Sequence, residues 1–346
     1  MVALTGNRPK GEIAAMQTHE IRLASRPVGA PEPANFASAT AELPALGAGE
    51  IRVRNQWMSV DPYMRGRMSD RPSYVPPFVI GEALQGGAVG EVIESHDESR
   101  PLGALVSSML GWRTVAQGPA KAFDLLPRTP GIPEQAYLGA LGMPGLTAWA
   151  GLTQVGQIRD GETVFVSGAA GAVGSIVCQL AKLRGCTVVG TAGSDAKCEW
   201  LRGLGVDHAI NYKTGDLEAH LKAAVPKGID LYFDNVGGEH LEVAISLARP
   251  FARLVECGMI SQYNNERVAP GPKNMMMIVG KRLRIQGFIV FDFADKQREF
   301  LAEVSAHVAE GRLKWEETVV DGLAHAPDAF IGLFSGANTG KMLVRL

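Results

Sequence analysis

An α/β architecture in two domains follows from three features of this 346-residue chain. Its length exceeds the roughly 100–200 residues that one domain usually holds. Up to about residue 140, proline breaks the chain into short β-like runs. From about residue 145 to about residue 290, short apolar runs alternate with helix-patterned stretches, which is how a parallel sheet covered on both faces reads.

In the first region the strand-like runs are Glu50-Ile-Arg-Val-Arg-Asn, Val89-Gly-Glu-Val-Ile-Glu and Ala104-Leu-Val-Ser-Ser. Pro62, Pro72, Pro76, Pro77, Pro101 and Pro119 punctuate them, and proline lacks the amide donor that a helix interior needs. Long helices are therefore not expected there. In the middle region Thr163-Val-Phe-Val-Ser is a strand, followed by a glycine-rich turn and a helix over residues 173–183. Cys186-Thr-Val-Val-Gly, a helix over residues 195–204 and His208-Ala-Ile-Asn-Tyr continue the alternation. Ile229-Asp-Leu-Tyr-Phe-Asp, Ala252-Arg-Leu-Val-Glu-Cys and Leu283-Arg-Ile-Gln-Gly-Phe supply later strands with helices between them. Right-handed crossovers wind such a sheet doubly. A helix over residues 296–310 and a β-like Leu343-Val-Arg-Leu close the chain. That tail either extends the parallel sheet or returns to the first region.

Hydrophobic residues make up 46% and charged residues 20%, a globular balance, and the net charge is −2. Nucleic acid and anionic membranes both require a clustered positive field, so neither is an expected partner. No apolar run approaches the ~20 residues that span a bilayer, and the first twenty residues are too polar for a secretory signal. The four cysteines, Cys178, Cys186, Cys198 and Cys257, include no CxxC pair and make no disulfide framework. The expected compartment is the reducing cytoplasm.

Ser167-Gly-Ala-Ala-Gly-Ala-Val-Gly174 follows a strand and opens a helix, the context in which a glycine pattern carries meaning. Gly168 supplies the turn, Gly171 admits a pyrophosphate to the backbone, and Gly174 lets the helix pack closely. Helix-terminal amides and the helix dipole then face the phosphates. The spacing is GxxGxxG rather than GxGxxG, so a tight turn in another α/β fold is the competing reading. An NAD site places a carboxylate at the end of the second strand, yet no Asp or Glu occurs between Gly168 and Ser194. Thr191-Ala-Gly-Ser-Asp-Ala-Lys197 instead offers Ser194 as a helix cap and Lys197 as a cation for a ribose phosphate. NADP is therefore favoured, with Tyr212 beside the adenosine phosphate. Asp195 is the complication, since an acid in a helix's first turn serves the dipole but can also meet ribose.

Zinc is not expected. The first 140 residues contain no cysteine and only His19 and His96 as histidines. No GxSxG elbow is present either. The seven histidines read as surface or structural residues, Cys178 as part of a buried helix face, and Met275-Met-Met-Ile-Val as core or a flexible pocket wall.

Several motifs in one order carry a family likeness. They are Ser59-Val-Asp-Pro-Tyr-Met-Arg65, Gly142-Met-Pro-Gly-Leu-Thr-Ala, Ala170-Gly-Ala-Val-Gly, Gly193-Ser-Asp-Ala-Lys, Asn211-Tyr-Lys, Tyr232-Phe-Asp-Asn-Val-Gly-Gly and Cys257-Gly-Met-Ile-Ser-Gln-Tyr-Asn. From about residue 20 onward the chain resembles the zinc-free medium-chain dehydrogenase/reductases. Within them it resembles the group of prostaglandin reductases, leukotriene hydroxydehydrogenases and plant double-bond reductases, and most of all the bacterial NADPH-dependent curcumin reductases.

The resemblance implies a GroES-like, mostly β catalytic domain over residues 1–140, a Rossmann NADP-binding domain over 141–312, and a return to the catalytic domain over 313–346. It implies NADPH, no metal, a homodimer joined through Rossmann sheet edges, and reduction of the double bond of an α,β-unsaturated ketone or aldehyde. Carried over residue by residue, it places Gly171, Ala172, Val173 and Gly174 at the pyrophosphate, with Lys197 and Tyr212 at the adenosine phosphate. Asn235, Cys257, Phe288, Ile289, Val290 and Asn338 fall around the rest of the cofactor. The stretch before about Ile21 is longer than the family leads one to expect and receives no function.

Hydride delivery to an enone leaves charge on the carbonyl oxygen, which calls for a hydrogen-bond donor. A tyrosine hydroxyl stays protonated at neutral pH and suits the role. Tyr263, after the Cys257-Gly turn at a strand's carboxyl end, and Tyr63, from the first domain, are the candidates to meet across a cleft. A packed aromatic is the plainer reading of each. Two other functions stay open: an NADPH quinone reductase, and a non-catalytic NADPH-binding regulatory protein. The physiological substrate and the proton donor to the α-carbon are not legible.

Overall fold

The computed structural model describes residues 16–346; most of the N-terminal stretch left without a function lies outside them. The first lobe begins with β1 (Gln17–Leu23), antiparallel to β2 (Phe36–Glu42). The ten-residue β3 (Glu50–Ser59) is its spine. After the single turn of α1 (Met64–Arg67) come β4 (Ala88–Ser95), β5 (Leu105–Ser108), β6 (Val115–Pro119) and β7 (Phe123–Leu125). Among the described residues of this region the helices are single turns such as α1 and the five-residue 3-10 helix Glu134–Leu138, as its prolines favour.

The chain then crosses through α2 (Met143–Ala150) into strict alternation. The elements are β8 (Thr163–Val166), α3 (Gly174–Leu183), β9 (Thr187–Ala192), α4 (Asp195–Gly203), β10 (His208–Asn211) and α5 (Leu217–Ala224). They continue as β11 (Ile229–Asp234), α6 (Glu239–Leu247), β12 (Ala248–Glu256), α7 (Met276–Lys281), β13 (Arg284–Gly287) and α8 (Gln297–Ala309). The six strands form one parallel sheet in the order β10-β9-β8-β11-β12-β13. Strand order reverses between β8 and β11, where a doubly wound sheet opens a crevice. Successive residues face opposite cores: Val164, Val166, Leu231 and Phe233 pack with α3, and Phe165, Val189 and Tyr232 pack with α5 and α6. Both faces are thus covered, which is why these strands read as continuous apolar runs.

Strand β14 (Glu317–Asp321), α9 (Ala326–Leu333) and β15 (Lys341–Arg345) carry the tail back to the first lobe. The seven-stranded sheet runs β14-β15-β3-β4-β5-β7 with β6 also on β3. Strand β3 shares one edge between two partners: β6 along residues Glu50 to Arg54, and β15 along Trp57 to Ser59. Periodicity could not choose this ending, because pairing with β3 is decided in three dimensions.

The Met275-Met-Met-Ile-Val run differs from expectation. It is neither core nor cleft wall: Met276 and Val279 are 85% and 78% exposed. The segment packs beside β12 and α6, and Met277 alone of its methionines reaches the core. Cys178, in contrast, is fully buried on α3, and burial drives its thiol pKa upward.

Candidate active site

A cleft of about 830 Å³ runs between the lobes and is lined by both. One end is built by the glycine turn. Gly168 has φ +57°, a left-handed conformation that disfavours a side chain, and a Cβ at Gly174 would lie 2.5 Å from the Gly168 carbonyl. The start of α3 is therefore pressed against the turn, and Gly171, Ala172, Val173 and Gly174 border the cleft with the helix's positive end. Asn235 ties the opposite loop to this turn, donating from Nδ2 to the Ser167 carbonyl at 2.8 Å.

Beyond β9, the Ser194 hydroxyl caps α4 by accepting the Lys197 amide at 3.4 Å. Asp195 accepts from Asn211 Nδ2 at 2.8 Å, so its carboxylate is engaged at the end of β10. The Lys197 ammonium reaches across the cleft to the carbonyl of Gly336 at 2.8 Å. Burial, and then the nearby charge of Lys213, lower its pKa. Tyr212 borders the same end, its ring 5.0 Å from His240 and edge-on to it. His240 is buried there with Nε2 unpartnered, and burial pushes its pKa down to about 4.

Tyr63, Tyr263, Cys257, Phe288, Ile289 and Val290 also line the cleft. The Tyr263 hydroxyl accepts the Met259 N–H at 3.3 Å, which leaves its own O–H free to donate. Burial pushes its pKa up to about 12, so it keeps its proton at neutral pH. The Tyr63 hydroxyl is buried with no partner among the described residues, and burial raises its pKa too. An orphaned buried donor is costly unless something else completes it. Cys257 is likewise held as a thiol, pushed up to about 12 by burial and then by Asp234. Asn338 donates from Nδ2 to the Gly340 carbonyl at 2.7 Å and shapes the strap between α9 and β15. Gly340 in turn donates its amide to Ala170 at 2.8 Å, tying that strap to the glycine turn.

Every candidate named from the sequence thus borders this one cleft. Others were missed. Lys213 lies beside Lys197 and belongs to the Asn211-Tyr-Lys motif, which contained the signal. Tyr74 joins the tyrosines, so four of the chain's six line the cleft. Lys341 is buried at its wall, donating to the carbonyls of Val60 and Met342 at 2.9 Å each and pairing with Asp61 at 3.0 Å. Only the return of β15 brings that pair together, so no local pattern announces it.

Among the described residues no three His, Cys, Asp or Glu side chains gather to hold a metal ion. No helix among them is long and apolar enough to cross a membrane.

Two family models match: one described as the N-terminal domain of oxidoreductase, over residues 19–126, and one described as a zinc-binding dehydrogenase, over residues 172–306. The chain is 41% identical over 330 residues to the NADPH-dependent curcumin reductase of Escherichia coli, covering 94% of this chain and 95% of that protein. It is 43% identical over 306 residues to the NADP(+)-dependent 2-alkenal reductase of Nicotiana tabacum, covering 86% and 88%. The crystal structure of CurA from Vibrio vulnificus in complex with NADPH superposes with a TM-score of 0.90 at 42% identity, covering 94% and 98%. The chain belongs to the medium-chain dehydrogenase/reductase family, among its members without the zinc-binding group.

Proposed function

We propose that this protein is an NADPH-dependent reductase that transfers hydride to the carbon–carbon double bond of α,β-unsaturated ketones or aldehydes. The observation that carries the reading is the polarity of the cleft. Lys197 and Lys213 lie together with the N-terminus of α3 on the cleft wall, and the protonated hydroxyls of Tyr263 and Tyr63 border the same cleft. The relatives named for curcumin and 2-alkenal reduction support it.

The residues present fit the cofactor. A Cβ at Gly171 would meet only the Gly168 carbonyl, at 3.3 Å, so its cleft side is open to a pyrophosphate. Ser194, Lys197 and Tyr212, with Lys213, suit a ribose phosphate by charge and hydrogen bonding. Asn235, Cys257, Phe288, Ile289, Val290 and Asn338 form the walls for the remainder.

NADPH supplies the hydride when bound. Tyr263 and Tyr63 then do the protein's part. Each offers an O–H that stays protonated at working pH to the substrate oxygen on which charge develops. The Met259 N–H fixes the Tyr263 oxygen in place, so the donor needs no reorganisation. Val60, Met143 and Phe291 add apolar wall that excludes water.

The division of labour follows: within the described residues, 16–140 and 313–346 form the catalytic lobe and 141–312 the cofactor lobe. We read the protein as a cytoplasmic homodimer. The outer edge of β13 ends the parallel sheet, and Phe251, Met276 and Val279 are exposed at 65%, 85% and 78%. Sedimentation of Val279→Glu against the native chain checks this, with a monomer expected for the variant.

The test is NADPH oxidation across matched pairs of enones, alkenals and their saturated counterparts. Turnover with the unsaturated partner of each pair is expected. Oxidation of alcohols without action on enones would overturn the reading, and quinone turnover alone would favour a quinone reductase.

A further inference from the structure

Asp234 ends β11, buried directly before the cleft-lining Asn235, and three loops hang on it. Its Oδ1 accepts from the Ser167 hydroxyl at 2.7 Å and from the Val236 and Gly237 amides at 2.8 Å each. Its backbone carbonyl accepts from the Cys257 and Gly258 amides at 3.0 Å each. The glycine turn, the loop after β11 and the loop that bears Tyr263 therefore share one anchor.

The other oxygen, Oδ2, is buried and unpartnered among the described residues, and so are both carboxyl oxygens of Glu256. Asp234 and Glu256 are register partners on adjacent parallel strands, which sets their side chains next to each other on the same face of the sheet. Carboxylates only accept, so two ionised acids here would leave three buried acceptors orphaned and two like charges side by side. One proton between them removes the like-charge repulsion and pairs Asp234 Oδ2 with one Glu256 oxygen, leaving a single acceptor without a partner.

We infer that Glu256 is a positioning residue that carries a proton in the working protein and donates it to Asp234, so that the three loops keep the shape the cofactor requires. Burial, followed by the charge of Asp234, pushes the Glu256 carboxyl up to about 8. From β11, Asp234 is the charged group acting on it, and Tyr232 and Cys257 are its other titratable neighbours. His240 reaches Asp234 from α6 and is held neutral. On the other side β13 sets Gly287 opposite Glu256 and brings no charge.

The sign is fixed by linkage. The folded chain keeps a proton on Glu256 that the unfolded chain releases near the ordinary carboxyl range. The stability contributed by that proton is lost as pH rises from about 4.5 to about 8. The inference rests on the cofactor reading above for its binding arm only. Full-length native protein, Glu256→Gln and Glu256→Leu are titrated with NADPH by fluorescence at about pH 6, about pH 7.5 and about pH 9, and their melting temperatures are recorded without cofactor. Glu256→Gln keeps a permanent donor towards Asp234. Its affinity should therefore change by less than about twofold, relative to other titrations common to all variants, where the native protein loses about fivefold. Glu256→Leu, with no donor, should bind weakly throughout. The melting temperature of Glu256→Gln should gain on the native protein as pH rises. A parallel pH profile for native and Gln proteins, or a pH-independent melting difference, overturns the shared proton. Failure of every variant to bind NADPH overturns the cofactor reading instead and leaves the melting arm to judge the proton.

Discussion

Lys197 and Gly336 face each other across the cleft, the ammonium of one lobe donating to a backbone carbonyl of the other at 2.8 Å. The contact holds a partly desolvated cation in place beside Lys213 before any phosphate arrives. Lys197→Ala should weaken NADPH binding by about 10- to 100-fold, the worth of one or two charge-assisted hydrogen bonds. NADH, lacking the ribose phosphate, should change by less than about threefold. Fluorescence titration of both dinucleotides measures this, and equal losses would remove Lys197 from the phosphate site.

Tyr263 accepts one hydrogen bond from its own loop and has its proton to give. Tyr263→Phe should lower kcat for an enone by about 10²-fold, the usual cost of one donor to a developing oxyanion, with NADPH affinity nearly unchanged. Because burial pushes the hydroxyl up to about 12, kcat should show no fall assignable to this tyrosine below about pH 10. Steady-state rates with a parallel binding titration separate the two effects.

Lys341 and Asp61 are both buried, and the lysine's contacts with Asp61, Val60 and Met342 use its three donors. Removing one partner strands the other's charge. Lys341→Met should cost about 3–5 kcal/mol in urea unfolding, and adding Asp61→Leu should recover part of that loss. A cost below about 1 kcal/mol would mean that water reaches the pair.

His240 is neutral in the folded chain down to about pH 4, against an ordinary value near 6.5. The unfolded chain binds that proton first as pH falls, so stability is present above about 6.5 and lost on the way to about 4. The loss is on the order of 3 kcal/mol when complete. His240→Phe should match the native melting temperature near pH 7 and exceed it near pH 4.5. Equal acid sensitivity of the two proteins would show that His240 does not titrate this way.

The middle lobe was legible because each strand is a short apolar run of its own, such as Thr163-Val-Phe-Val, bounded by a turn. The first lobe was less so. Phe36–Glu42 and Glu317–Asp321 are short strands with little buried surface, and nothing local distinguishes them from loop. Met143–Ala150 hides a helix behind Pro144, which suits a helix's first turn, and Gly145, where a Cβ would lie 2.0 Å from the Ala140 carbonyl. In the cleft, Gly171 and Lys197 stand in motifs whose spacing has a physical reason. His240 and Glu256 look like ordinary polar residues until the fold buries the imidazole of one and the carboxyl oxygens of the other. Asp61 and Lys341 are a pair only because β15 comes home to β3.

That homecoming orders events in time as well as in space. Lys341 meets Val60 across 281 positions of chain, so during synthesis the first sheet waits, one rung missing, while everything between is made. The dinucleotide lobe, built from neighbours in sequence, is free to collapse early as a contiguous unit. The crevice between the lobes comes into being last, once the final strand leaves the ribosome and docks.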